Sequence, residues 1–137
     1  YQSDADWPAA VRKIAPGGVH AVYDGVGKAT FEGSMSVLRP RGHMVSFGNA
    51  SGAVPPVAPL ELTKRGSVTL QRPSLFHFMD RASGEAQRRV DAVFGAVAAG
   101  ELQVTIGARF MLRDARKAHE ALESRATTGK ILLDCTE

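Results

Sequence analysis

The chain has 137 residues, 44% hydrophobic and 23% charged, the make-up of an ordinary globular unit with a core of its own. Lys and Arg number 17 against 14 Asp and Glu, and a net charge of +3 is too small and too scattered to mark a nucleic-acid binder. A single cysteine, Cys135, closes no internal disulfide and builds no cysteine-rich zinc site; no apolar run nears the ~18 residues of a membrane span, and no signal peptide is visible. These features predict a soluble, cytoplasmic protein without nucleic-acid or membrane partners.

The sequence opens at Tyr1-Gln-Ser-Asp-Ala-Asp-Trp7, with neither an initiator Met nor a flexible lead-in, and so predicts a fragment of a longer protein. Residues 4 to 15 read as a helix that Asp4 or Asp6 can cap and whose first turn tolerates Pro8; Pro16-Gly17-Gly18 stops it. Val19 to Tyr23 reads as a buried strand running into Asp24-Gly25-Val26-Gly27. Thr30 caps a helix carrying Phe31, Met35 and Leu38, and Pro40-Arg41-Gly42 turns the chain into a second strand, His43 to Phe47, ended by Gly48. A Gly- and Pro-rich loop leads to a short helix, Leu60 to Lys64, and then to a third strand, Ser67 to Leu70, stopped by Pro73.

Ser83 opens the clearest helix, where Val90, Val93, Phe94 and Val97 follow the i, i+3, i+4, i+7 pattern and Gly100 supplies the stop. Leu102 to Met111 is expected to be extended, Asp114 to cap a last helix, and Lys130 to Leu133 to form a terminal strand. Strands alternating with helices predict an α/β fold with a parallel sheet, whose ligands sit beyond the carboxyl ends of the strands. The loops at Asp24–Gly27, Phe47–Asn49 and Arg72–Ser74 should then line one edge.

The residues alone go little further. Gly25 and Gly27 suit either a backbone approaching a flat ligand or a tight strand-to-helix turn, and both readings stay open. The Gly-x-Gly-x-x-Gly dinucleotide fingerprint is absent. Ala126-Thr127-Thr128-Gly129-Lys130 fails as a phosphate loop, because Ile131 stands where Ser or Thr is needed. His20, His43, His77 and His119 have no metal-ligand spacing, and no Gly-x-Ser-x-Gly elbow presents a nucleophile. No catalytic or metal-binding residue is assigned.

The ordered set of motifs is more specific. Val22-Tyr23-Asp24-Gly25-Val26-Gly27, Arg41 to Gly52, Arg72-Pro73-Ser74-Leu75, Ala99-Gly100 and His119 to Lys130 together resemble the zinc-independent NADPH:quinone oxidoreductases of the medium-chain dehydrogenase/reductase superfamily. The resemblance covers essentially the whole chain and only the C-terminal portion of such an enzyme. It implies the C-terminal half of a doubly wound Rossmann domain over residues 1–75 and the C-terminal part of the catalytic domain over 76–137. It implies transfer of hydride or electrons from NADPH to a quinone, a homodimer, and a fragment inactive by itself.

Position by position, the resemblance places Tyr1 and Gly25 at the adenosine end of the cofactor. The family often has Ser at the Gly25 position, so a hydroxyl contact is lost there. Phe47, Gly48, Asn49 and Ala50 fall beside the nicotinamide ribose, Arg72, Pro73 and Ser74 at the carboxamide, and Arg125 reaches back to the cofactor with its planar donor fork. An enoyl reductase or zinc-type alcohol dehydrogenase of the same superfamily, and a non-catalytic nucleotide-binding or scaffold domain, are the alternatives.

Overall fold

The computed structural model describes residues 4–124 and 127–136. The chain divides into two compact units, the first ending at Phe78 and the second beginning at Met79. No helix among the described residues is long and apolar enough to cross a membrane.

In the first unit, α1 (Trp7–Ile14) leads to β1 (Val19–Asp24), α2 (Phe31–Ser36), β2 (Leu38–Ser46), α3 (Pro59–Lys64) and β3 (Thr69–Gln71). The three strands form one parallel sheet in the order β1-β2-β3. Val22, Met44 and Leu70 stand in register across it, and their row faces α2. Phe31 and Met35 from α2 close over them, with Leu38 and Val68 completing the core. Met44 is fully buried, and a side chain so placed contributes about 1.5–3 kcal/mol through the apolar surface it removes from water. The next row, Tyr23, Val45 and Gln71, points to the opposite face, where Tyr23 is 74% exposed. This is the period-two alternation of a strand, read across three strands at once.

Several elements differ from the expectation in instructive ways. The first helix starts at Trp7, because the Asp4 carboxylate accepts the Asp6 N–H in a local turn that precedes it. Residues 39–42 lie inside β2 as a bulge: β1 advances from Val19 to Ala21 while β2 advances from Leu38 to His43. Arg41 takes φ +59° there, and its N–H bonds to the Gly66 carbonyl at 2.7 Å. Leu38 therefore belongs to the strand rather than to the preceding helix, although it still enters the core.

In the second unit a short 3-10 turn (Leu112–Asp114) and α5 (Ala115–Glu123) connect β4 (Ile106–Met111) to β5 (Lys130–Asp134), which lies parallel to it in a separate two-stranded sheet. Gly107 is needed at that pairing, since a Cβ on it would run into the Thr128 carbonyl. The preceding helix, α4 (Glu85–Ala98), starts two residues later than Ser83, with Gly84 at its N-cap in the left-handed region. Ser83 and Ala82 instead give their N–H groups to the Asp80 carboxylate. The apolar stripe on α4 is present but exposed, at 53% for Val93 and 69% for Phe94. Only Ile106–Met111 of the expected extended stretch pairs as a strand.

Candidate functional site

Because β1, β2 and β3 are parallel, their carboxyl ends fall on one edge, and the loops after them meet there. The Phe47 N–H donates to the Asp24 carbonyl at 2.9 Å, and the Ser51 N–H to the Val26 carbonyl at 2.7 Å. The Ser51 hydroxyl donates to the same Val26 carbonyl at 2.8 Å and accepts the Ala29 N–H at 2.9 Å. The Lys28 N–H reaches the Gly52 carbonyl at 3.1 Å. The two loops are thus laced together by main-chain bonds.

Glycine makes that lacing possible. A Cβ on Gly27 would stand 2.6 Å from the Gly52 carbonyl oxygen, and Gly27 itself takes φ +88°. A Cβ on Gly48 would collide with the Gly25 backbone, and one on Gly25 would stand 2.9 Å from the Phe47 ring. At Gly27 the geometry is that of the tight strand-to-helix turn, with a positive φ between β1 and α2, and at Gly25 the missing Cβ leaves room for the Phe47 ring.

The sequence-predicted residues fall into place unevenly. Gly25, Phe47, Gly48, Asn49 and Ala50 all belong to the laced loops, and Phe47 lies 55% exposed across Gly25. The Arg72 guanidinium reaches over from the end of β3, donating to the Ser46 carbonyl at 2.8 Å and the Gly48 carbonyl at 3.2 Å. A cavity of about 360 Å³ opens beside this tie and brings Asn49 and Arg72 together with Ser46, Phe31 and Leu70. Pro73 and Ser74 follow, half-buried, and the Ser74 carbonyl takes the His77 N–H at 3.0 Å in the 3-10 turn Leu75–Phe78. Tyr1 and Arg125 lie outside the described residues.

Reading the residues one at a time passes over Asp24. Its side chain is buried, and its carboxylate accepts the Val26 N–H at 2.8 Å, the Gly27 N–H at 2.9 Å, the Thr30 hydroxyl at 2.8 Å and the Ser34 hydroxyl at 2.8 Å. Burial pushes its carboxyl pKa up, but the Gly27 N–H, the two hydroxyls and the Val26 N–H outweigh that and hold it below the ordinary aspartate value. Thr30 occupies the N-cap of α2 as expected, yet its hydroxyl serves Asp24 rather than the helix. A second cavity, about 250 Å³, lies beside this group, lined by Trp7, Val22, Tyr23, Gly25 and Val26 among others. The available signal was an Asp directly before Gly-x-Gly, with hydroxyl residues six and ten positions on.

This edge presents main-chain groups and the exposed Phe47 ring, with the Asp24 carboxylate and the Arg72 guanidinium both engaged within the protein. Among the described residues no three or more His, Cys, Asp or Glu gather as a metal ion requires.

A family model described as zinc-binding dehydrogenase matches residues 1–133. A 2-haloacrylate reductase from Burkholderia sp is 41% identical over 96% of this chain and 40% of its own length. A quinone oxidoreductase from Salmonella typhimurium is 45% identical over 84% of this chain and 36% of its own length. The solved structure of Escherichia coli quinone oxidoreductase complexed with NADPH superposes with a TM-score of 0.83 at 39% identity, over 97% of this chain and 41% of that one. The chain thus spans about 40% of the length of these relatives. With the family match running through both units and the same parallel α/β fold in the solved relative, the chain belongs to the zinc-binding dehydrogenase family.

Proposed function

We propose that the whole protein is an NADPH:quinone oxidoreductase, and that the laced loops at the carboxyl edge of β1–β3 are this chain's share of its dinucleotide site. The observation that carries the reading is the convergence of Gly25, Phe47–Ala50 and Arg72 at one edge of a parallel sheet, where ligands of such folds bind. The relatives named as quinone oxidoreductases, one of them complexed with NADPH, support it. On this reading residues 1–75 supply the last three strands of the dinucleotide domain and residues 76–137 the end of the catalytic domain.

The residues present suit such a cofactor. The lacing closes the loops on themselves, so the rim they present is a fixed run of main chain with the Phe47 ring on it. Gly25 would lie at the adenosine ribose, Phe47, Gly48, Asn49 and Ala50 along the nicotinamide ribose, and Arg72, Pro73 and Ser74 near the carboxamide. Tyr1 and Arg125 complete the set by resemblance. When bound, NADPH supplies the hydride. The chain's own part is to hold the ring in one orientation and to keep water from its reacting face, for which no acid or base in the loops is required. The one further proton that a hydroquinone needs besides the hydride would come from solvent or from groups outside this chain.

The proposal includes action without zinc, a cytoplasmic location and a homodimer. β3 lies at an edge of the described sheet and offers its unpaired backbone to a second copy. Steady-state oxidation of NADPH by the whole protein with a simple benzoquinone, in the presence of a chelator, tests the activity. Saturable turnover that survives chelation is expected; zinc-dependent alcohol oxidation, or no turnover with any quinone, contradicts it.

The 41% identity to a 2-haloacrylate reductase favours one second reading, hydride transfer to an activated carbon–carbon double bond at the same edge. Offering a haloacrylate and a quinone to the same preparation separates the two.

A further inference from the structure

The dinucleotide reading leaves one buried titratable group without a task. Asp24 ends β1 with its side chain 4% exposed, and neutral donors meet its charge: two main-chain N–H groups and two hydroxyls. All four follow it in the chain, on the Gly25–Gly27 loop and on α2. That loop in turn carries the second one. The Gly25 carbonyl accepts from Ala50, the Val26 carbonyl from Ser51, and Asp24's own carbonyl from Phe47. The path from the carboxylate to Phe47–Ala50 therefore runs through one laced piece of backbone.

We infer that Asp24 is a positioning residue of the dinucleotide edge: its carboxylate fixes the Gly25–Gly27 loop and, through the lacing, the placement of Phe47, Gly48, Asn49 and Ala50 against the cofactor. The inference rests on the reading of this edge as the NADPH site. Hydrogen bonds to a charged acceptor are shorter and about twice as strong as neutral ones, so four of them on one carboxylate make a stiff anchor. No side chain of the loop replaces it as an acceptor for the Val26 and Gly27 N–H groups, because Gly25 and Gly27 have none and Val26 is apolar. Without the anchor the loop relaxes among the conformations that glycine allows, and the rim loses its shape before the sheet beneath it melts.

Asparagine is the conservative replacement. Its carbonyl oxygen keeps the Val26 and Gly27 N–H groups, and its amide donates to the Thr30 or Ser34 hydroxyl, which turns to accept. Alanine removes every acceptor.

The test compares Asp24→Ala, Asp24→Asn and Met35→Ala in the whole protein. Met35→Ala removes a buried core side chain that packs with Phe31, Leu38, Met44 and Val68, and controls for lost stability. Asp24→Ala is expected to raise the KM for NADPH about tenfold or more with kcat held within about threefold, since small misplacement of binding groups carries penalties of that size. Asp24→Asn should return KM to within about threefold of wild type, and Met35→Ala should leave it there despite a lower Tm. Without any cofactor, Asp24→Ala should speed amide exchange at Gly27 and Ser51 while leaving Met44 in the sheet protected. If Asp24→Ala does not fold, Ser34→Ala carries the same exchange comparison. An NADPH KM in Asp24→Ala no different from wild type, a KM rise equal to that of Met35→Ala, or loop amides that loosen only together with the sheet overturns the inference. A wild-type protein that neither binds nor oxidises NADPH overturns instead the reading beneath it.

Discussion

Arg72 Nη1 donates to the Ser46 carbonyl at 2.8 Å and to the Gly48 carbonyl at 3.2 Å, so the end of β3 holds the turn that follows β2. The resemblance assigns the Arg72–Ser74 stretch to the cofactor's carboxamide through its backbone. The side chain has a different partner: it faces back into the protein and braces Gly48, itself packed on Gly25.

Replacing Arg72 with Ala should lower the unfolding free energy by about 1 kcal/mol, the net worth of hydrogen bonds at a site open to water. It should also raise the KM for NADPH of the whole protein, because the Phe47–Gly48 turn loses its brace. Urea midpoints and steady-state kinetics read the two effects separately. A Tm and a KM both equal to wild type would show that water replaces the guanidinium at no cost.

Acid should unfold the chain partly through Asp24. Its folded-state pKa lies below its ordinary value, so its contribution to stability is complete above the unfolded-state pKa and is lost as pH falls through the folded one. Asp80, Asp134 and Glu61 are lowered too, chiefly by hydrogen bonds from Ser83, Thr136 and Lys64, and titrate over the same acid range. The comparison that isolates Asp24 is therefore wild type against Asp24→Asn, followed by urea unfolding from about pH 6 down to about pH 3, the range that brackets the unfolded aspartate pKa of about 3.9. The stability gap between them should close as pH falls. A gap independent of pH would remove Asp24 from the acid transition.

Two glycine substitutions should have opposite signs. Gly48→Ala drives a Cβ into the Gly25 backbone and should cost about 2 kcal/mol or more, since neither loop can yield without breaking the lacing. Gly95→Ala, in the middle of α4 with nothing within 4 Å of the added Cβ, should stabilise by about 0.5–1 kcal/mol through helix propensity. Thermal melts of the two variants decide both, and a Gly48→Ala variant as stable as wild type would mean that the loops separate freely.

Arg125→Ala in the whole protein should weaken NADPH binding by roughly ten- to a hundredfold, as expected for the loss of one charge-assisted hydrogen bond of about 1.5–3 kcal/mol. An arginine that only decorates the surface would move binding and stability by no more than about 0.5 kcal/mol. Fluorescence titration with NADPH alongside a melting curve distinguishes the two roles.

Strand ends are more legible in this sequence than strand starts: Val19 and Lys130 open β1 and β5 as expected, whereas β2, β3 and β4 begin elsewhere. Gly25, Gly48 and Pro73 punctuate the chain where each strand finishes, and that locates the ligand edge. The start of β2 is hidden because Arg39-Pro40-Arg41-Gly42 has the composition of a turn. Its bulge depends on the distant Gly66 carbonyl, which takes the Arg41 N–H, and local composition does not report such a partner. Among the site residues, Gly25 and Gly48 announce a close approach but not what is approached. Asp24 is obscured for a related reason: an Asp before Gly reads as turn chemistry, and only the folded chain brings the Ser34 hydroxyl, one turn into α2, onto its carboxylate. The order of the motifs, by contrast, carries the family relationship across both units without any of this geometry.

Amide hydrogen exchange of the whole protein with and without NADPH tests most directly whether the laced loops at the carboxyl edge of β1–β3 hold the cofactor. Slower exchange at Gly25, Phe47, Gly48, Asn49, Ala50 and Ser74 on adding the cofactor, with Thr69 and the α4 amides unchanged, is the predicted result. Protection confined to other segments, with these amides exchanging as before at saturating NADPH, would contradict it.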